Sequence, residues 1–254
     1  MKAYCCQLDI VWEAKQANYA KVARLLAAAR PEPGSLVALP EMFATGFSMN
    51  VAGIREGTPP ETEAFLARTA RAHGIYLLGG VVSGSPDGRG RNEAVVYSPA
   101  GELLARYAKM QPFTLGGEAA AYAAGDRLVT FLWQGCMVSP FICYDLRFPE
   151  LFRAVIRRGV QLFVVIADWP VVRIEHWITL LRARAIENQA LVVGVNRCGR
   201  DPSLVYPGRS LIVDPLGHIL ADAGDTECVV GAEIDLEALA AWRANFPALK
   251  DMRP

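Results

Sequence analysis

The sequence has no long hydrophobic run and no excess of charge of either sign. No apolar stretch approaches the roughly 20 residues that span a bilayer, and Gln7 and Asp9 interrupt the first apolar segment, which excludes a secretory signal. Lysine plus arginine number 26, as do aspartate plus glutamate, so the basic surface of a protein that binds nucleic acid or a membrane is missing. We therefore expect a cytoplasmic protein that acts on a small molecule.

Patterns that bind metals are also missing. The three histidines, His73, His176 and His218, lie far apart, and no cysteines have Cys-x-x-Cys spacing, so we expect neither a metal nor a cofactor. Six cysteines in a chain of this size without an export signal predict reduced thiols rather than disulfides. Because no histidine has a motif context, a nucleophilic cysteine would need another base.

Strand and helix patterns alternate along the chain. Strands are predicted over 2–11, 35–39, 75–82, 92–97, 102–107, 128–133, 136–142, 161–167, 191–196, 209–213, 218–221 and 229–234. Helices are predicted over 13–30, 61–72, 173–187 and 236–244, with a loop over 46–57. This alternation without a linker predicts an α/β fold in one domain, 1–254. The apolar residues 245–254 are expected to pack on the body or on a partner subunit.

The segment FICYDLRFPE, residues 141–150, joins a strand to a helix that Pro149 opens. Such a turn lifts a side chain out of the sheet and leaves backbone N–H groups free to face the group that it attacks. Most free cysteines are small buried hydrophobic residues, but Asp145 and Arg147 indicate a polar site around Cys143. We therefore interpret Cys143 as a nucleophile.

Three segments, in this order, resemble the motifs of the nitrilase (carbon-nitrogen hydrolase) superfamily. They are LPEMFATGF at 39–47, YAKMQPF at 107–113 and ICYDLRFPEL at 142–151. The similarity extends from residue 2 to the C-terminal segment. The resemblance implies a four-layer α-β-β-α sandwich, a two-fold homodimer packed through helices and the C-terminal segment, and cleavage of non-peptide C–N bonds by a glutamate, a lysine and a cysteine.

The same resemblance gives catalytic roles to Glu41, Lys109, Cys143 and Glu118, which outside these motifs would be ordinary side chains. Glu41 would take the thiol proton, protonate the leaving nitrogen and then activate water. Lys109 and the backbone N–H of Tyr144 would bind the oxyanion, at about 3–4 kcal/mol for each donor. Glu118 would position Glu41.

Two arginines are candidates for binding a substrate carboxylate, because a guanidinium can donate two parallel hydrogen bonds to it. Arg147 could instead form a salt bridge with Glu150 or Asp145, and Arg173 could form one within its own helix. An apolar wall of the substrate site is expected from Phe47, Met49, Phe113 and Trp169.

Segments 168–189 and 246–251 resemble the bacterial omega-amidase branch, which hydrolyses the terminal amide of 2-oxo acids such as 2-oxoglutaramate. The chain departs from the family at Gln111, where most members have histidine, and at Asp168, where this branch usually has asparagine. As a carboxylate, Asp168 would repel an acidic substrate unless a nearby arginine neutralised it. The leading hypothesis is nevertheless an omega-amidase-like hydrolase that releases ammonia through a cysteine thioester.

Other activities remain open from the sequence. An N-carbamoyl amino acid hydrolase, another aliphatic amidase or a nitrile hydrolase would use the same catalytic residues. An inactive scaffold or binding protein is the alternative of a different class, although a scaffold gains nothing from keeping Glu41, Lys109 and Cys143.

Overall fold

The computed structural model describes residues 1–253, which form two six-stranded sheets and a small hairpin, with helices around them. The strands are β1 (Lys2–Gln7), β2 (Leu36–Ala38), β3 (Tyr76–Gly84), β4 (Gly90–Tyr97), β5 (Leu103–Ala108), β6 (Phe131–Trp133), β7 (Cys136–Ile142), β8 (Leu162–Ala167), β9 (Leu191–Asn196), β10 (Cys198–Arg200), β11 (Val205–Pro207), β12 (Leu211–Val213), β13 (Ile219–Asp222) and β14 (Cys228–Glu233). The helices are α1 (Lys15–Ala29), α2 (Val51–Ile54), α3 (Glu61–His73), α4 (Glu118–Ala121), α5 (Pro149–Ile156), α6 (Ile174–Asn188) and α7 (Leu236–Asn245). Four 3-10 turns complete the secondary structure, at Thr114–Gly116, Cys143–Arg147, Val171–Arg173 and Ala248–Asp251.

Both large sheets have a parallel centre. The first has the order β14-β1-β2-β3-β4-β5, with β1, β2 and β3 parallel, and the second has the order β13-β12-β9-β8-β7-β6, with β7, β8 and β9 parallel. Functional groups in α/β proteins lie beyond the carboxyl ends of such strands. Here Glu41 follows β2, Cys143 follows β7 and Asp168 follows β8.

The hydrophobic core has three parts, which follow from the alternation of side chains along each strand. In β1, Ala3 and Cys5 face the second sheet, whereas Cys6 faces α1 and α3 on the outer side. The second sheet is covered by α5 and α6 through residues such as Phe152 and Trp177. The layers are therefore α-β-β-α, and the predicted four-layer sandwich is confirmed.

The predicted first strand, 2–11, is too long. Beyond Gln7 the backbone bonds instead to a hairpin that the sequence did not predict. The carbonyl of Leu8 accepts a hydrogen bond from the N–H of Cys198, at 2.8 Å. Cys198 begins that hairpin, β10–β11, in which it pairs with Pro207.

Two further boundaries differ from the prediction. The predicted strand 128–133 is reduced to β6, because the carbonyl of Val129 accepts a hydrogen bond from Ser139 Oγ, at 2.9 Å, instead of a strand partner. The predicted loop 46–57 contains one helical turn, α2. The local pattern of apolar residues indicates neither the hydrogen bond from Ser139 nor the helical turn α2.

The C-terminal segment lies against α5 and α6. Gln189 Nε2 donates to the carbonyl of Phe246 at 2.7 Å, and Arg153 Nη1 lies 3.3 Å from Met252 Sδ. Pro254, the last residue of the segment predicted to pack in this way, lies outside the described residues. Between residues 1 and 253 there is no helix with the length and apolar character needed to cross a membrane.

Candidate active site

Glu41 is held in a tight loop directly after β2. Its side chain is buried, and the following residue, Met42, has a φ of +42°. The loop lies on Gly80 of β3, whose N–H donates to the carbonyl of Pro40 at 3.2 Å. A Cβ at position 80 would be 2.3 Å from the backbone nitrogen of Met42 and 2.8 Å from Glu41 Cα, so only glycine fits there.

Lys109, the first residue after β5, is buried between two carboxylates. Its Nζ donates to Glu41 Oε1 and to Glu118 Oε2, both at 2.8 Å. Burial lowers the pKa of Lys109, but the charges of Glu41 and Glu118 outweigh it and raise the pKa well above the ordinary value. The ammonium therefore stays charged at neutral pH. Two of its three hydrogens are used in these bonds, and the third has no hydrogen-bond partner among the described residues.

Asn92 of β4 joins the two carboxylates from the other side. Its Nδ2 donates to Glu41 Oε1 at 2.6 Å and to Glu118 Oε1 at 2.8 Å. Glu118 Oε2 also accepts the N–H of Phe113, at 2.6 Å. The second oxygen of Glu41 accepts the N–H of Asp168, at 3.0 Å. Glu41 is thus fixed by three donors from three different segments.

Cys143 occupies a strained position at the end of β7. Its φ is +48°, in the left-handed region that residues other than glycine seldom adopt. The 3-10 turn begins at Cys143, so the N–H groups at its start have no partner within the turn. Burial and the Glu41 carboxylate raise the pKa of the Cys143 thiol well above its ordinary value, while Lys109 opposes them. The resting sulfur is therefore a thiol.

Asp145 holds this turn in place rather than forming a salt bridge with Arg147. Its Oδ2 accepts from Tyr107 Oη at 2.8 Å and from the N–H of Ile142 at 3.0 Å, and its Oδ1 accepts the N–H of Gln111 at 2.9 Å. Burial raises the pKa of Asp145 to about 7, against the effect of these donors. The bonds tie the cysteine turn to the segment that follows Lys109.

A cavity of about 350 Å³ opens onto Cys143 and Glu41. It is lined by the predicted residues Phe47, Met49, Phe113, Tyr144, Arg147, Trp169 and Arg173. Lys109 lies behind them, with its Nζ 5.2 Å from the centre of the Phe47 ring. A cavity of this size suits a small molecule.

Neither arginine of the cavity is paired with a carboxylate in the part of the chain that the structure describes. The Arg147 guanidinium lies 4.9 Å from the Trp169 ring and its Nη2 is 3.1 Å from His176 Nδ1. The Arg173 guanidinium lies 5.4 Å from the Phe113 ring. The salt bridges considered for these arginines are therefore not formed, and both guanidiniums can bind a ligand.

Sequence patterns missed several parts of the site. The sequence pattern gives Asn92 only as the first residue of a strand. A polar residue at a buried strand position nevertheless indicates a hydrogen-bonded partner inside the protein. The hairpin β10–β11 and its flanks contribute Asp201, Ser203, Leu204 and Tyr206 to the cavity, and the segment after β1 contributes Trp12. Among residues 1–253 no group of three or more histidine, cysteine, aspartate or glutamate side chains is placed to bind a metal.

Comparison with known proteins identifies the family. Residues 2–244 match the sequence model of the carbon-nitrogen hydrolase family. The chain belongs to this family. It is a hydrolase that acts on amide C–N bonds, and its substrates are small molecules.

Relatives of this carbon-nitrogen hydrolase cover nearly its whole length. It is 39% identical to an omega-amidase from Yersinia enterocolitica over 99% of this chain and 96% of the relative. It is 33% identical to a 2-oxoglutaramate amidase from Bacillus subtilis over 98% of this chain and 96% of the relative. A solved superfamily member from Xanthomonas campestris, which has an arsenic adduct in its active site, superposes with a TM-score of 0.94 at 33% identity, covering 100% of this chain and 97% of that one.

The contact between Gly80 and the glutamate loop of the hydrolase gives a first prediction. Gly80→Ala is expected to lower kcat by about 100-fold, because the added Cβ must push the Glu41 backbone out of place. Gly79→Ala is the matched control, since the three atoms nearest its Cβ would be side-chain atoms of Leu66 and Phe43, at 3.1–3.3 Å, rather than backbone. Ammonia release measures both. A Gly80→Ala enzyme as active as the Gly79→Ala enzyme would contradict this role.

Proposed function

We propose that this hydrolase cleaves the terminal amide of small acidic amides, with 2-oxoglutaramate as the leading substrate, through a thioester on Cys143. The observation that carries the proposal is the shared cavity. The thiol and Glu41 open onto the same space of about 350 Å³ as Arg147 and Arg173, which have no carboxylate partner among residues 1–253. The omega-amidase and 2-oxoglutaramate amidase among its relatives support the same substrate class.

The first half of the proposed reaction makes the thioester. Glu41 takes the thiol proton as the Cys143 sulfur attacks the amide carbon. The free N–H of Lys109 and the backbone N–H of Tyr144 stabilise the oxyanion. Glu41 then gives the proton to the nitrogen, the C–N bond breaks, and ammonia leaves. A base that is itself held by three hydrogen bonds loses little orientation between these two transfers.

The second half restores the enzyme. Glu41 takes a proton from a water molecule as the water oxygen attacks the thioester carbon, in the same oxyanion site. The C–S bond breaks, and the proton returns from Glu41 to sulfur. The products are the carboxylic acid and ammonia. Asn92 donates to Glu41 and to Glu118, and Glu118 accepts from Lys109 and from the N–H of Phe113, so Asn92 and Glu118 position Glu41 and Lys109.

A comparison of substrates tests whether the enzyme prefers amides that carry a carboxylate. The wild type should release ammonia faster from 2-oxoglutaramate and succinamate than from butyramide, which has a methyl group in place of the carboxylate of succinamate. Arg173→Met should raise KM for succinamate by about 10- to 100-fold and leave KM for butyramide nearly unchanged, because a charged hydrogen bond is lost only with the acid. Faster turnover of N-carbamoyl amino acids, or equal rates with succinamate and butyramide, would reject the omega-amidase assignment.

The cellular setting and assembly are also proposals. Six free cysteines are compatible with the reducing cytoplasm. A homodimer is supported by apolar side chains that remain exposed on and near α6 in the single chain, among them Ile186 at 51% and Leu216 at 47%. Light scattering during size-exclusion chromatography tests the dimer, and a monomer at micromolar concentration would contradict it.

A further inference from the structure

Asp168 has a buried carboxyl group in the active-site cavity that the proposed reaction does not use. Only its backbone N–H takes part in the site, through the hydrogen bond to Glu41 Oε2 at 3.0 Å. The residue is 6% exposed and lines the cavity beside Cys143. Among the described residues, neither carboxyl oxygen has a hydrogen-bond partner of normal geometry. A buried polar group in this state is free to form a hydrogen bond with a ligand in the cavity.

The charged and titratable groups that face Asp168 lie on several different segments. They are Glu41 after β2, Arg197 after β9, Asp201 after β10 and Tyr206 on β11, with Arg147 and Arg173 lining the same cavity. Burial raises the pKa of Asp168 well above its ordinary value; Arg197 opposes this, and Glu41 and Asp201 add to it. The backbone N–H of Phe47 also lowers the pKa.

Arg197 does not form an ion pair with Asp168. Its Nη2 donates to the carbonyls of Ile10 and Arg200, at 2.9 and 3.0 Å, and its guanidinium lies 4.4 Å from the Tyr206 ring. A buried carboxyl without an ion pair, and with no donor nearer than the poorly aligned N–H of Phe47, favours its protonated form. Asp168 then offers the cavity a hydrogen-bond donor, its carboxyl O–H.

An acidic amide supplies the missing acceptor. We propose that Asp168 is a specificity-determining residue for the reaction proposed above, and that its carboxyl O–H donates a hydrogen bond to the substrate carboxylate. Arg147 and Arg173 neutralise that carboxylate from the same cavity. In this arrangement Asp168 binds an acidic substrate instead of repelling it. The inference rests on the proposed function.

Succinamate and butyramide test the inference, because they differ only at the carboxylate. Asp168→Ala should lower kcat/KM for succinamate by about 10- to 100-fold, mainly through KM, and leave butyramide nearly unchanged. Asp168→Asn retains an N–H donor and should stay within a few-fold of the wild type. The wild-type preference for succinamate should fall as pH rises and Asp168 ionises, whereas the preference of Asp168→Asn should not. Asp126→Asn, which removes a carboxylate that is 90% exposed and lies outside the cavity, is the control and should not change the preference.

Three results would overturn the inference. Equal losses in Asp168→Ala and Asp168→Asn with succinamate would show that a donor at this position does not bind the substrate carboxylate. A gain with succinamate in Asp168→Ala would show that its charge repels the substrate. Equal losses with both amides would show a structural role. Failure of the proposed function has a separate signature, because the wild type itself would then show no preference for succinamate over butyramide, or would release no ammonia from either amide.

Discussion

A Cys143→Ala variant is expected to lose on the order of 10⁴-fold or more in kcat while keeping its fold. The methyl group of alanine cannot form the covalent intermediate, so water would have to attack the amide directly. The remaining parts of the site, Lys109 and Glu41, would still bind and polarise a substrate. KM should therefore change much less than kcat. Ammonia release under saturating substrate measures the loss, and near-UV circular dichroism checks the fold.

The control for this variant is another cysteine of the same chain. Cys228 on β14 is also partly exposed, and it does not line the cavity. Cys228→Ala should therefore retain the wild-type rate. If Cys143→Ala kept more than a tenth of wild-type kcat, the sulfur at position 143 would not be the nucleophile, whatever the geometry around it.

Replacing Lys109 by methionine is expected to damage both catalysis and stability. The variant loses one oxyanion donor, which is worth about 100- to 1,000-fold in kcat. It also leaves Glu41 and Glu118 buried beside each other without their shared cation. One of the two carboxylates will then take up a proton, and a protonated Glu41 cannot act as the base. We therefore expect a loss in kcat of at least about 1,000-fold.

The same substitution should lower the free energy of unfolding by about 3–5 kcal/mol, as expected when one partner of a buried ion pair is removed. Folding raises the pKa of Lys109 above 10.5, so its contribution to stability is complete below that pH and is lost only in more alkaline solution. Denaturant titration at pH 7 should therefore show the full effect.

Lys15 offers a matched control for Lys109. It pairs with Glu56 at 2.9 Å, but its side chain is 18% exposed and lies outside the cavity. Lys15→Met should lower the unfolding free energy less than Lys109→Met does, because Lys15 is partly exposed and its Nζ pairs with one carboxylate rather than two, and it should leave the rate unchanged. A Lys109→Met enzyme that resembled the Lys15→Met enzyme in rate and stability would exclude the buried network as the centre of the site.

The sequence motifs allowed prediction of the groups that meet at the site, because each motif carries its chemistry within a few residues. Pro40 and Glu41 lie in the loop after one strand, Lys109 follows another, and Cys143 begins the turn after a third. The layered fold followed from the alternation of apolar side chains together with the resemblance. These signals are local, so short windows of sequence contain them.

The sequence could not show contacts that depend on segments far apart in the chain. Asn92 joins Glu41 and Glu118 only after three segments have packed together. The close approach of Gly80 to the glutamate loop likewise depends on how β2 and β3 pair. Asp168 was recognised as unusual, but its burial without a hydrogen-bond partner is a property of the folded cavity.

The most direct test of the site is to trap the acyl group during turnover. Wild-type enzyme is mixed with succinamate and quenched in acid. Mass spectrometry should then show that the peptide containing Cys143 has gained the mass of the substrate minus that of ammonia. Added hydroxylamine should release the same acyl group as a hydroxamate. Turnover without an adduct or hydroxamate, or an adduct on any other cysteine, would contradict attack by Cys143 with Glu41 and Lys109 around the same carbon.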